Sequence, residues 1–286
     1  MTGASGHVRT LRSFFGVHKI YETRLGNVPV RALMHGTTLH GVQRLDAFAL
    51  DSEGKPAPSS YYGPDSPLAR SIRAVQLNRG RPVSVAVVGL GTGTLACSTR
   101  PQDSLDFYEI DAVVAEIARD ARNFEFLARC KPESRIIIGD ARLSIQSAPN
   151  AFYDLIVMDA FSSDVIPVHL LTMEAMGLYL EKLAPHGLIA LHVTNEHLDL
   201  APVVARLAAS QGLITRVQHT PIPADSAQFA SDAAVLARGE SDFGALLDLG
   251  SWPAEVSSPD QPLWTDDYSN LIAPILGKLR AGSGPR

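Results

Sequence analysis

Three successive strand ends in this chain carry residues whose types and order suit a nucleoside. The run Val83-Ser-Val-Ala-Val-Val-Gly-Leu-Gly-Thr-Gly-Thr94 takes an apolar, β-branched strand straight into alternating glycines and a short helical segment. Gly89, Gly91 and Gly93, with Thr92 among them, let the backbone turn sharply and let a ligand sit against it with no Cβ in the way. About twenty residues on, a second strand, Leu105 to Ile110, brings Glu109 and Asp111 to its end, where an acid can bind the two hydroxyls of a ribose. The third strand, Ile136 to Ile138, runs into Gly139-Asp140-Ala141. A carboxylate at Asp140 can accept from the exocyclic amine of adenine, and the small Ala141 leaves room for the ring. Asp111 and Asp140 would look the same as plain helix N-caps. Methionine-type tail, ribose and adenine in that order point to S-adenosylmethionine or a relative rather than NAD.

A fourth strand end is denser. Tyr153-Asp-Leu-Ile-Val-Met-Asp159-Ala-Phe-Ser-Ser-Asp164 places two carboxylates and two hydroxyls within six residues after a buried strand. From spacing alone Asp159 would look the same as the cap of a following helix. None of the nine histidines shows ligand spacing, which predicts no metal site.

Positioning these residues takes a sheet. Strands are predicted at 83–88, 105–110, 135–139, 154–159 and 187–193, with helices at 67–77, 112–122, 141–148, 169–183 and 200–211. That alternation implies an α/β fold: a doubly wound, mainly parallel sheet, completed to seven strands by 214–220 and 233–237. Its ligands bind outside the carboxyl ends of the strands, where strand order reverses. Ahead of it, residues 13–46 read as a small N-terminal antiparallel β-sheet of three strands (14–21, 28–34 and 37–45), with Phe14 and Phe15 in its core. The division is therefore a β-strand domain at 1–60 and a Rossmann-like domain at 61–286.

Composition bounds the rest. At 286 residues, 45% hydrophobic and 19% charged, the chain is an ordinary globular protein, and no run of about twenty apolar residues can span a bilayer. A net charge of −5 provides no footprint for nucleic acid. Residues 1–12 lack the apolar core of a signal peptide, and Cys97 and Cys130 show no metal spacing; both suggest a reduced, cytoplasmic setting.

Between residues 13 and 276 the chain resembles the spermidine synthase (polyamine aminopropyltransferase) family. The resemblance rests on Phe14-Phe-Gly16, His35-Gly-Thr-Thr38, Tyr61-Tyr-Gly63, Tyr108-Glu-Ile-Asp111, Gly139-Asp-Ala-Arg142, Asp159-Ala-Phe-Ser-Ser-Asp164, His169-Leu-Leu-Thr172 and Trp264-Thr-Asp-Asp267. It implies an S-adenosylmethionine methyltransferase-like Rossmann sheet, a homodimer, and no tightly bound cofactor. The implied cosubstrate is decarboxylated S-adenosylmethionine, whose aminopropyl group passes to a diamine such as putrescine. It further implies Asp159 as proton acceptor with Tyr61 assisting and Tyr62 as the alternate, and Asp164 holding the substrate's ammonium groups. Asp266 and Asp267, after Trp264, either bind the far amine or lie in a solvated loop. The chain departs from the family at Thr92, where an aspartate belongs, at Leu39, where a glutamine belongs, and in the five-residue step from Asp159 to Asp164. Because Thr92 removes a filter against intact S-adenosylmethionine, a methyltransferase is the alternative, and a silent polyamine or nucleoside sensor is a third.

Overall fold

The structure, a computed structural model, describes residues 6–160, 167–195, 198–220 and 229–282. Strands β1 (Gly6–Ser13), β2 (Gly16–Leu25), β3 (Val28–His35) and β4 (Thr38–Arg44) form an antiparallel meander in that order. Two of its three reversals use Gly26 and Gly36, both at positive φ. The predicted sheet is present with one strand more. β1 was missed because Gly-His-Val-Arg-Thr-Leu-Arg-Ser is a polar edge strand that shows no apolar alternation. Consequently Phe14 and Phe15 are not core: they sit in the β1–β2 reversal, 95% and 40% exposed. Ile20 and Leu33 provide the buried face, packing on Ile117, Phe124 and Phe126.

After helix α1 (Pro67–Arg79) come β5 (Ser84–Val88), β6 (Ser104–Glu109), α2 (Ala112–Arg119), α3 (Phe126–Cys130), β7 (Arg135–Ile138), α4 (Ala141–Ile145) and β8 (Tyr153–Met158). Then follow α5 (Met173–Lys182), β9 (Leu183–His192), α6 (Ala201–Ser210), β10 (Ile214–Thr220), β11 (Ser231–Ala237), α7 (Glu240–Phe243) and α8 (Ile272–Gly282). Helix starts follow ordinary capping chemistry: the side chains of Ser66, Asp111, Asp140 and Thr172 accept from Ala69, Val113, Leu143 and Ala175 N–H. Four helices are shorter than predicted, among them α2, which ends at Arg119, and α4, which ends at Ile145, while α1 runs two residues longer, to Arg79. The seven large-sheet strands lie in the order β10-β11-β9-β8-β5-β6-β7, parallel from β9 to β7, with β11 antiparallel to both its neighbours. The chain builds outward from β5 to β7, then returns to place β8 on the other side of β5. Order therefore reverses at β5 and β8, which sets their carboxyl ends side by side as the ligand crevice of such a sheet. Apolar layers bury both faces. Among the described residues no helix is long and apolar enough to cross a membrane.

Cys97 and Cys130 are joined in a disulfide, which corrects the expectation of two free thiols and removes that argument for a reducing compartment. The bridge ties the turn after the glycine run to the end of α3. It closes a separation of 33 residues, so reduction, or replacement of both cysteines by serine, is expected to lower stability by about 3–4 kcal/mol. Urea unfolding with and without reductant measures this; equal midpoints and two titratable thiols in the native protein would contradict it.

Candidate active site

A cleft of about 740 Å³ opens at the carboxyl ends of β5, β6 and β8, and the N-terminal sheet forms its far wall. The glycine run makes that closeness possible. At Gly91, φ +53, an added Cβ would lie 2.6 Å from the carbonyl oxygen of His40, so the turn presses directly on β4. Gly89 and Gly91 line the cleft. Thr92 and Gly93, expected at the ligand, are not among the described residues that line it. The left-handed turns on either side of Thr92 rotate its side chain inward, where it is fully buried beside Gly41 with its hydroxyl 2.8 Å from that of Thr94. Gly93 packs on Leu127.

Glu109 reaches the cleft from the end of β6. Its carboxylate accepts from Leu90 N–H at 3.0 Å and Asp111 N–H at 2.9 Å, which clamps the glycine turn to β6 and leaves lone pairs for a ligand. Burial pushes its pKa up, against those two backbone donors. Asp140 is the helix cap that the sequence allowed. One oxygen caps α4 through Leu143 N–H at 3.1 Å, the other meets His169 at 2.8 Å, and Asp140 and Ala141 both line the cleft. Asp111 caps α2 and is held by Ser13 and by His18 at 2.7 Å. Its pKa is lowered, since those hydrogen bonds outweigh burial, which acts the other way.

Asp159 follows β8 and its own N–H donates to Val88 carbonyl at 2.8 Å, beside Gly89. Its carboxylate is nearly enclosed, 5% exposed. Tyr62 donates its hydroxyl to Oδ2 at 2.6 Å, and His192 meets Oδ1 at 2.8 Å. Burial, reinforced by the Asp159 charge, raises the Tyr62 pKa well above its ordinary value, so the phenol stays a donor. Tyr61 is placed differently from expectation: its hydroxyl donates to Leu39 carbonyl at 2.8 Å, and its ring lies against His192. The two tyrosines diverge within one 3-10 turn whose first residue, Ser60, has φ +63. Asp164 lies outside the described residues.

At the rim, Asp266 holds Arg142 through two 2.6 Å contacts and accepts from Thr172, and its pKa falls to about 2 because of Arg142. Asp266 lies in an exposed turn, as the solvated-loop alternative has it, and its carboxylate is taken up by Arg142. Asp267, expected as a substrate ligand, is exposed in the same turn and is not among the described residues that line the cleft. His192 was missed, although it ends β9, the strand next to β8; neighbouring strand ends are the signal that would have found it. Among the described residues no group of three or more His, Cys, Asp or Glu is arranged to hold a metal.

No protein-family model matches the chain. Over 113 residues it is 35% identical to the curated polyamine aminopropyltransferase of Vibrio vulnificus (strain CMCP6), a match spanning 38% of this chain and 36% of that protein. The chain thus matches little more than a third of the length of that relative. Among solved structures it is similar to a probable spermidine synthase from Corynebacterium glutamicum ATCC 13032, with TM-score 0.62 and 16% identity over 94% of this chain and 99% of that one. Spermidine synthase from Thermotoga maritima is similar at TM-score 0.59 and 16% identity, over 96% and 87%. A spermidine synthase in complex with the transition-state analogue AdoDATO gives TM-score 0.58 and 16% identity, also over 96% and 87%. These likenesses show the fold: a seven-stranded, mostly parallel spermidine synthase-like sheet preceded by an antiparallel one.

Proposed function

We propose that this cleft transfers an aminopropyl group from decarboxylated S-adenosylmethionine to a diamine such as putrescine, releasing methylthioadenosine. The observation that carries the proposal is the Asp159 carboxylate, nearly enclosed and hydrogen-bonded to Tyr62, next to Gly89 at the strand-order reversal. The names of the curated relative and of the solved neighbours point the same way.

In this reading Glu109 takes the ribose hydroxyls, and Asp140 with Ala141 takes the adenine. The amine nitrogen attacks the carbon next to the sulfonium; the carbon–nitrogen bond forms, the carbon–sulfur bond breaks, and its electron pair returns to sulfur. The proton leaving nitrogen passes to Asp159. The sulfonium is already a good leaving group, so the protein's work is to orient two reactants and accept one proton. Tyr62, rather than Tyr61, is the hydroxyl that assists, because it alone of the two donates to Asp159.

Incubation with putrescine and either the decarboxylated or the intact sulfonium donor tests this. Methylthioadenosine that depends on the diamine is expected; S-adenosylhomocysteine from the intact donor would instead establish a methyltransferase. Glu109→Ala is expected to weaken donor binding about 10–100-fold, the range for a hydrogen-bonded charge. Calorimetry reads this directly, and unchanged affinity would remove Glu109 from the ribose site.

A further inference from the structure

We infer that His192 is the positioning residue for Asp159, fixed by Thr194 in the tautomer whose Nδ1–H points at the carboxylate. The inference rests on the proposed role of Asp159 as proton acceptor, and it follows from the direction of each hydrogen bond.

The chain of bonds begins at an unambiguous donor. The Asp232 backbone N–H, in β11, donates to Thr194 Oγ1 at 2.6 Å. Thr194 then has one proton to give. His192 Nε2 lies 2.8 Å away and the Asp232 carbonyl 3.4 Å away, so the hydroxyl proton goes to Nε2. An imidazole that accepts at Nε2 carries its proton on Nδ1. That proton faces Asp159 Oδ1 at 2.8 Å, and Tyr62 donates to the other oxygen. All donors therefore run one way, from Asp232 to Asp159, and converge on the carboxylate. The opposite tautomer would aim a lone pair at a nearly enclosed carboxylate, where such a mismatch is costly.

Rigid elements hold this line. His192 pairs with Ala233 across β9 and β11, and Val193 N–H donates to the Asp232 carbonyl at 2.9 Å. The Tyr61 ring, centred 5.3 Å from the imidazole and itself tied to Leu39, limits rotation of the His192 ring. This gives Tyr61 a place in the site without contact to Asp159. During transfer His192 keeps its proton. The amine's proton goes to a carboxylate lone pair that neither His192 nor Tyr62 uses.

The test compares His192→Leu, His192→Asn and Thr194→Val in the full chain. His192→Leu is expected to lower kcat by about 10²-fold, as misplacing a reacting group does, with KM for the donor within about threefold. In His192→Asn the amide nitrogen stands near the position of Nδ1, so it recovers at least about tenfold of that loss. Thr194→Val frees the imidazole to change tautomer and falls between the two. A His192→Leu enzyme with kcat within about twofold of the parent would overturn the inference, as would a His192→Asn enzyme no better than His192→Leu. Nitrogen NMR of the parent protein supplies a readout independent of turnover: Nδ1 is expected protonated and Nε2 bare at neutral pH. The reverse overturns the tautomer assignment. If the parent forms no methylthioadenosine, the aminopropyl reading fails while the spectrum still decides the tautomer.

Discussion

Asp159→Asn is expected to reduce turnover by ~10²-fold or more while donor affinity stays within about threefold. The substitution keeps the shape and both contacts. The amide oxygen accepts from His192, and the amide nitrogen donates to the Tyr62 phenol oxygen after that hydroxyl rotates. What disappears is the capacity to take a proton. An alkyl amine has a pKa near 10.4, so holding it neutral at pH 7 costs roughly 4–5 kcal/mol. The wild-type carboxylate offsets part of this by receiving the proton as the carbon–nitrogen bond forms. Without it, only the small neutral fraction of the amine reacts, and that fraction grows about tenfold per pH unit below the amine pKa. The variant's rate is thus expected to climb more steeply with pH than that of the parent. Single-turnover release of methylthioadenosine, with calorimetry of the donor, separates the two effects. Near-normal turnover at pH 7 would count decisively against Asp159 as acceptor.

How far the site could be read from sequence depends on the range of the interaction involved. Buried parallel strands appear as apolar runs, so β5 and β8 and the polar residues at their ends were legible, and β6 was legible despite Asp106 within it. Asp140 and Asp111 were legible too, including their capping, because a cap is a local contact. Tyr61 and Tyr62 were not separable: adjacent residues in a 3-10 turn point in different directions, and the left-handed Ser60 sets which one meets Asp159. The orientation of Thr92 was not legible for a similar reason, since positive φ at Gly91 and Gly93 turns its side chain inward. His192 and the disulfide depend on neighbours 33 residues away in the chain, brought together only by strand order and helix docking. Asp267 was one residue from a carboxylate that does take a partner, and turn geometry alone decides between the two.

The second large effect is expected at Gly89, where backbone conformation and catalysis meet. Its φ is +96, and an added Cβ would overlap the Asp159 carbonyl oxygen and lie 2.9 Å from the carbonyl carbon. Neither partner can yield as a flexible side chain would. Gly89 N–H donates to Tyr108 carbonyl at 2.9 Å and Asp159 N–H to Val88 carbonyl at 2.8 Å, so sheet bonds hold both segments. Gly89→Ala must therefore push the β8 end away from β5. The expected cost is about 2–4 kcal/mol, the left-handed conformation supplying 1–2 and the overlap the rest. Displacing the carboxylate by about 1 Å is expected to cost a further ~10²-fold in turnover. Gly26→Ala separates the two causes, because Gly26 has φ +56 with nothing within 4 Å of an added Cβ. It should lose only about 1–2 kcal/mol and keep full activity. Urea unfolding and methylthioadenosine release on both variants provide the comparison. A Gly89→Ala protein as stable and active as Gly26→Ala would mean that the β5 and β8 ends do not meet as described, and the acceptor would then lie elsewhere.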